Sequence, residues 1–523
     1  MKRTYLSSCL VVLLLLAGTA QAQFGQPPQQ EQNPVVTAIV EEATGNSQLE
    51  RLAHELLDVV GPRLVGTPQM QNAHDWAVST YEGWGIQAEN EQYGQWTGWR
   101  RGVTHVDLVA PRVVSLNGMQ MAWSPGTDGP VTGEVTMIPD VADSAAFRAW
   151  LPSAAGKFVL VNMMQPTGRP GYNWEEYGTE ESIARMEQMQ DEADDAWDAR
   201  IERTGLSLGG VIDALEEAGA AGILQSRWSG GFGVNKVFSA ATDGIPHIDL
   251  SLEDYGLLYR LVDYGNSPQI RVNVESEELG KVPAFNTIAT IPGTEKPDEY
   301  IILSAHFDSW DGGTGATDNG TGTITMMEAA RILKQVYPNP KRTIIVGLWG
   351  GEEQGLNGSR AYVEDHPEIV EGVQALFNQD NGTGRVVNIS GQGFLHAYAF
   401  LGDWLSAVPW EVRSHINTNF PGTPGGGGSD YASFVSAGAP AFSLSSLSWD
   451  YGTYTWHTNL DTYDKIVFDD VRNNVILTAV LTFMASEDPD TFSREKRVMP
   501  ISPWSGERMS WPQVRTANRD GGN

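Results

Sequence analysis

The sequence predicts an α/β protein: a mostly parallel sheet with helices on both faces, interrupted by a smaller α+β insert. Three observations carry that expectation. From Phe285 onward, short apolar runs alternate with helix-length amphipathic stretches, the rhythm of strands joined by crossover helices. Near Pro111 the character changes to short strand-like runs divided by glycine, proline and aspartate, and this lasts to Val282. The apolar run 300–305 ends at His306 and Asp308, then opens into a glycine-rich loop carrying Asp318. An imidazole and carboxylates at the carboxyl end of a buried strand suit a metal site, because loops converge there on one crevice.

A chain of 523 residues implies two domains plus tails. Its formal net charge of -31 argues against a nucleic-acid partner, which such a surface would repel. Residues 1–22 read as a signal peptide: Lys2 and Arg3, an apolar run 10–17, and Ala20-Gln21-Ala22 as a small-x-small cleavage site. The expected product is secreted or periplasmic after cleavage near Ala22. The one cysteine, Cys9, leaves with that segment, so no disulfide is expected. No other stretch approaches the ~20 apolar residues that span a bilayer, so no membrane anchor is expected.

In chain order, residues 23–35 are Gln/Pro-rich and read as a flexible leader. Residues 36–110 belong with the catalytic part: helical patterns over 36–60 and 69–84, then strand-like runs at 86–93 and 101–108. The insert, 111–282, resolves into strands near 131–138, 157–162, 223–225, 245–249 and 269–275, and helices at 211–218 and 252–264. Within it, 180–203 is an acidic helix with Ile183, Met186, Met189, Ala193, Trp197 and Ile201 on one face. That face either packs on its own domain or serves as a lid or homodimer contact. Residues 283–487 return to the catalytic part, with strands at 300–305, 342–348, 372–378 and 440–444 and helices at 321–336, 359–365 and 462–487. The tail, 488–523, is polar, with Trp504 and Trp511 as its expected anchors.

The polar residues at those strand ends are His306, Asp308, Asp318, Glu352, Glu353, Asp380 and His457. Oxygen and imidazole donors gathered from several loops are what two adjacent divalent cations require. Each zinc takes about four ligands, so a bridging carboxylate with one histidine and one more carboxylate per metal leaves room for a shared water. A glutamate left over beside that water is a general base. Taken singly, Asp318 and Asp461 also fit helix caps, ahead of the helices expected at 321 and 462.

The segments SAHFDSWDGGTGATDNGTG, GLWGGEEQGLNGSRAYV, FNQDNGTG, GGGGSDYASFVSAGAPAF and WHTNLDT occur in this order. Together they resemble the co-catalytic di-zinc metallopeptidases, a family of secreted aminopeptidases that also includes plasma glutamate carboxypeptidase. The insert resembles a protease-associated domain. The resemblance implies a zinc-peptidase fold, two Zn2+ per chain and a secreted exopeptidase (aminopeptidase, dipeptidase or carboxypeptidase) acting on peptides or dipeptides. It places His306 and Asp380 on one zinc, Glu353 and His457 on the other, and Asp318 between them. It makes Glu352 the base and gives Asp308 the task of holding His306 in its metal-binding tautomer. It also implies a cis peptide at Asp318-Asn319. The segment around Asp430 and Tyr431 would line the substrate cleft, with Tyr431 where many relatives have histidine. Tyr431, Tyr451 and Tyr454 are the candidates for stabilising the oxyanion. Two other readings remain open: a glutaminyl cyclase-type zinc aminoacyltransferase, and a non-catalytic peptide-binding relative.

Overall fold

The computed structural model describes residues 33–522. The expected signal segment 1–22 and most of the leader lie outside them. The first helix, Pro34–Gly45, already begins within the expected leader, capped by Asn33, whose Oδ1 accepts the Val35 N–H at 2.9 Å. The helix expected over 36–60 is interrupted after Gly45 and resumes at Leu49–Ala53, continuing through wider turns to Val60.

Four parallel strands form the centre, lying side by side in the order Ala441–Ser446, Val373–Asn378, Lys296–His306 and Arg342–Trp349. Val386–Ser390 flanks them antiparallel on one side and Gln269–Ile291 on the other. Successive side chains of a strand point to opposite faces. Ile301 and Leu303 therefore pack with the helices Thr321–Val336 and Phe468–Glu487, while Ile302 meets Tyr362 and Phe434 on the other side. A sheet buried on both faces needs such unbroken apolar runs. It is a mixed α/β fold with a mostly parallel central sheet.

The runs expected as separate strands at 86–93 and 101–108 are one strand, Gln87–Ala110. The run at 269–275 likewise continues to Ile291. These two long strands pair antiparallel along their length, and register shifts at Gly98/Trp99 and Arg101/Thr104 absorb Gly98 and Gly102. One end of Gln269–Ile291 pairs with Arg342–Trp349, and the other pairs with Val131–Met137 of the insert. No chain break therefore marks Val282. The insert's own strands continue from there in the order Val131–Met137, Phe158–Leu160, Gly222–Gln225 and His247–Leu250, all parallel.

The acidic helix runs Glu180–Thr204, started by a capping box of Thr179 and Ser182. Only its far end is covered: Trp197 is buried and Ile201 packs beside it, whereas Met189 is exposed. The last helix starts at Phe468 rather than 462, after a short turn Tyr463–Lys465. In the tail, Trp511 is an anchor, its Nε1 donating to the Val435 carbonyl and its ring meeting Phe394 edge-on. Trp504 is not, being 95% exposed. The tail instead gains a second hold at Asp520–Gly521, which pairs with Gln95 and Trp96.

His74, on the helix Pro68–Gly83, is buried against the rings of Phe285 and Phe307 with Nδ1 2.8 Å from the Thr287 hydroxyl. Burial pulls its pKa from 6.5 down to about 3. The unfolded chain takes up that proton below about pH 6.5 and the folded chain does not until about 3, so stability is full above 6.5 and falls with pH across that window. Each pH unit there removes about 1.4 kcal/mol. His74→Gln is expected to flatten the decline of melting temperature between pH 6 and 4 relative to wild type, measured by scanning fluorimetry; parallel curves would show that His74 is not buried neutral.

Candidate metal centre

His306 is the last residue of the strand Lys296–His306, and Asp318 lies in the loop that follows. Glu352 and Glu353 follow the strand Arg342–Trp349, Asp380 follows Val373–Asn378, and His457 lies in the loop after Ala441–Ser446. The carboxyl ends of four adjacent parallel strands thus meet in one place.

Two groups of three form there. His306 Nε2 stands 3.1 Å from Asp380 Oδ1 and 3.4 Å from Asp318 Oδ1. His457 Nε2 stands 2.9 Å from Glu353 Oε2 and 3.5 Å from Asp318 Oδ2. In each trio the donor atoms lie within 4.8 Å of one another, and Asp318 turns one oxygen to each. Among the described residues, Asp318 Oδ2 and Glu353 Oε1 are buried without a hydrogen-bond donor, an arrangement that costs energy unless a cation serves them. The donor set and these orphaned oxygens fit divalent metal.

The electrostatics make the same demand. Burial, with Asp380 and Asp318 nearby, holds Glu352 and Glu353 well above the usual carboxylate range. Burial alone would lower the His306 pKa, but Asp380 and Glu352 outweigh it and raise it well above the usual imidazole value. At His457 burial prevails and its pKa falls to about 4, helped by the cation of Lys236. A cluster that retains a proton this strongly is one that a metal ion would neutralise.

Backbone contacts aim the ligands. His306 Nδ1 donates to the main-chain carbonyl of Asp308 at 3.0 Å, which leaves Nε2 free for metal. The Asp308 carboxylate, expected to orient this imidazole, stands 3.8 Å from the same Nδ1 and also accepts the N–H groups of Glu352 (3.1 Å) and Glu353 (3.2 Å), fixing the turn that presents both. Gly351 in this turn has φ +66°, and a Cβ there would collide with the Tyr93 hydroxyl. Asp461 is not a helix cap; its carboxylate accepts the N–H groups of Thr317 (2.8 Å) and Asp318 (3.0 Å). Neither is Asp318, since the helix Thr321–Val336 begins without a side-chain cap. The Asp318-Asn319 peptide is cis, and Asn319 Nδ2 donates to the Gln379 carbonyl, tying this loop to the one that carries Asp380.

Arg63, fully buried, underlies the whole loop. Its guanidinium donates to the carbonyls of Phe307, Thr314, Gly315 and Gly61. Sequence reasoning missed Arg63, which stands in an ordinary-looking turn after Gly61-Pro62.

The insert also reaches the site. Val237 N–H donates to the His457 carbonyl at 2.8 Å, Asn459 N–H to the Asn235 carbonyl at 3.1 Å, and the Ser229 hydroxyl to Thr453. The Phe238 ring lies 4.8 Å from the His457 ring, and Trp456 and Trp310 lie 4.1 and 5.8 Å from it. Trp96, Trp123, Phe238, Trp310, Arg227 and Glu353 line a cleft of about 450 Å3 beside the trios.

The expected substrate residues divide. The Tyr451 hydroxyl lies against Asp318, and burial with that carboxylate raises its pKa well above the phenol range. Tyr431 is half-buried, with Asp380 adding to the upward push of burial. Tyr454 is turned to Tyr172 of the insert rather than to the trios. Asp430 is fully buried near Glu352, its pKa pushed up to about 7 by burial. His396 pairs with Glu495 on the surface.

Residues 286–482 match the model of peptidase family M28. Over those residues the chain resembles peptidase family M28. Carboxypeptidase Q of Mus musculus is 26% identical over 460 residues, covering 86% of this chain and 87% of that protein. The crystal structure of a peptidase M28 precursor from Shewanella amazonensis SB2B superposes with a TM-score of 0.64 at 24% identity, covering 88% of this chain and 97% of that one. A zinc aminopeptidase from Bacillus subtilis does so with a TM-score of 0.54 at 17% identity, over 86% and 97%. These likenesses run far beyond the M28 match, through the insert.

Arg63→Met leaves the loop carbonyls without donors, and an unpaired buried polar group costs about 1–3 kcal/mol. The variant is expected to melt at least 5 °C lower and to retain less metal by plasma emission analysis; an unchanged melt with full metal content would refute the bracing role.

Proposed function

We propose that this protein is a secreted, zinc-dependent exopeptidase that hydrolyses peptides or dipeptides with two Zn2+ ions and Glu352 as general base. The observation that carries this is the pair of trios sharing Asp318, with Glu352 beside them and in neither. His306, Asp318 and Asp380 would hold one ion, and Asp318, Glu353 and His457 the other. Zinc would supply Lewis acidity to the attacking water and the scissile carbonyl.

The chain's own residues do the rest. Glu352, buried against His306 and Asp380, takes a proton from the water and returns it to the leaving amine. Asp308 holds the backbone of Glu352 and Glu353, so base and ligand keep one spacing. Tyr451, which keeps its proton firmly, is the tyrosine nearest the bridging carboxylate and can donate to the developing oxyanion. A cleft of about 450 Å3, walled on two sides by insert and tail residues, gives room for the end of a peptide.

Similarity to carboxypeptidase Q across most of both chains supports the exopeptidase reading. A complete ligand set speaks against a binding-only relative and equally suits hydrolysis over water-free transfer. Secretion rests on the pattern of residues 1–22, and no helix among the described residues is long and apolar enough to cross a membrane.

Glu352→Gln is expected to keep its metal and lose at least 100-fold in kcat, the order expected for a removed general base, whereas Glu353→Ala loses metal. Metal analysis beside hydrolysis of aminoacyl amides, dipeptides and blocked peptides checks both; equal metal loss in the two variants would overturn the role of Glu352. Chelation of the wild type is expected to lower its melting temperature, since a ligand that binds only the folded state stabilises it.

A further inference from the structure

We infer that Arg227 and Lys236, both from the insert, form a subsite for a carboxylate of the substrate on the His457 side of the metal centre. The inference rests on the peptidase reading and deepens it.

The two cations flank His457 symmetrically. The Arg227 guanidinium lies 4.6 Å above the Phe238 ring, and that ring lies 4.8 Å from the imidazole of His457. The Lys236 ammonium lies 4.2 Å above the Trp456 ring, which lies 4.1 Å from the same imidazole. A single aromatic ring therefore separates each positive charge from a metal-ligating histidine. Arg227 also lines the cleft that Glu353 borders.

Both charges rest on aromatic faces. In a chain with 65 acidic and 34 basic residues, several buried and half-buried cations find carboxylates: Arg101 grips Asp311, Arg331 grips Glu328 and Glu42, and Arg342 grips Glu299. Among the described residues, the side chains of Arg227 and Lys236 make no hydrogen bond or ion pair. Lys236 is nonetheless only 8% exposed. Asp318 and Asp249 attract it from a distance without pairing with it, and an ammonium withdrawn from water with no carboxylate in contact is unfavourable, so a bound anion would relieve that.

The pair is also held in place. The Asp249 carboxylate, fully buried, accepts the backbone N–H of Arg227 at 2.9 Å and that of Lys236 at 3.2 Å. Residue 236 bridges to Thr458, and Val237 bonds the His457 carbonyl, so the cations keep a fixed position relative to the trios. Each residue of extended chain adds ~3.3–3.6 Å. Cations one ring away from a ligand therefore suit a carboxylate one or two residues beyond the scissile bond. Either a terminal α-carboxylate or an acidic side chain supplies that chemistry.

Titration calorimetry on the purified protein tests this without turnover, using N-acetyl-leucine, N-acetyl-leucinamide and the α-amide of N-acetyl-glutamate, whose one carboxylate is in the side chain. The wild type is expected to bind one of the two carboxylate probes at least tenfold more tightly than N-acetyl-leucinamide, and which of them it favours identifies the source. Arg227→Gln, at an exposed position, is expected to reduce that preference at least fivefold, and the double variant with Lys236→Gln to abolish it. Equal binding of all three probes, or a preference that survives in Arg227→Gln, would overturn the subsite. If no peptide is hydrolysed while the carboxylate preference is present and falls with Arg227→Gln, the peptidase reading fails and the subsite stands.

Discussion

Everything at the sheet's carboxyl edge answers to the burial of like charge. Asp308, Asp318, Glu352, Glu353, Asp380, Asp430 and Asp461 converge there, most of them out of water. Two carboxylates 4 Å apart repel by about 4 kcal/mol where the effective dielectric constant is near 20. Against them the chain sets the His306 imidazole, Arg63 and, at the edge, Lys236, and the guanidinium is already committed to carbonyl oxygens. A fold that assembles such a cluster is complete only with added positive charge, and the two trios around Asp318 are where it fits.

Given that demand, geometry follows from dividing the acids between two tasks. Asp318, Glu353 and Asp380 face the trios. Asp308 and Asp461 turn away and accept backbone N–H groups, each bracing the residues that bear a ligand. These braces are charged hydrogen bonds in a dry setting, roughly twice as strong as neutral ones. The trio residues thus owe their aim to carboxylates outside both trios, and Glu352 stays outside them through the same turn that presents Glu353.

The residues that meet in the two trios were legible because strand ends are: an apolar run that stops at His306, or at Gly350 before Glu352, places its polar successor at the edge. The atoms that do the bracing were not. Spacing says that Asp308 follows His306 by two residues, but not that its carbonyl holds the imidazole while its carboxylate reaches across to the next loop. Asp461 looked like a cap because Asp-Thr precedes a helical pattern, yet the helix starts at Phe468 and the carboxylate is engaged elsewhere. The two long strands were read as the shorter runs 86–93, 101–108 and 269–275, with Gly94, Gly98 and Pro283 lying outside them. In three dimensions these residues are bulges and close approaches: a Cβ at Gly94 would strike the main chain at Arg519, so the tail can lie against the strand only because that position is glycine.

Those strands decide what the insert is. Because Gln87–Ala110 and Gln269–Ile291 belong to the central sheet at one end and to the insert's sheet at the other, the insert is an extension of the peptidase sheet rather than a domain on a linker. A hinge between the two would have to break a continuous ladder of backbone hydrogen bonds. The further contacts at Asn235, Val237 and Ser229 fasten the insert to the loop bearing His457. Phe238 and Arg227 of the insert therefore form part of the cleft wall beside the trios. Its other wall includes Asn518 and Gly522, held by the pairing of Asp520–Gly521 with Gln95 and Trp96. The size of the space at the metals is thus set by segments far apart in sequence, all resting on one pair of strands.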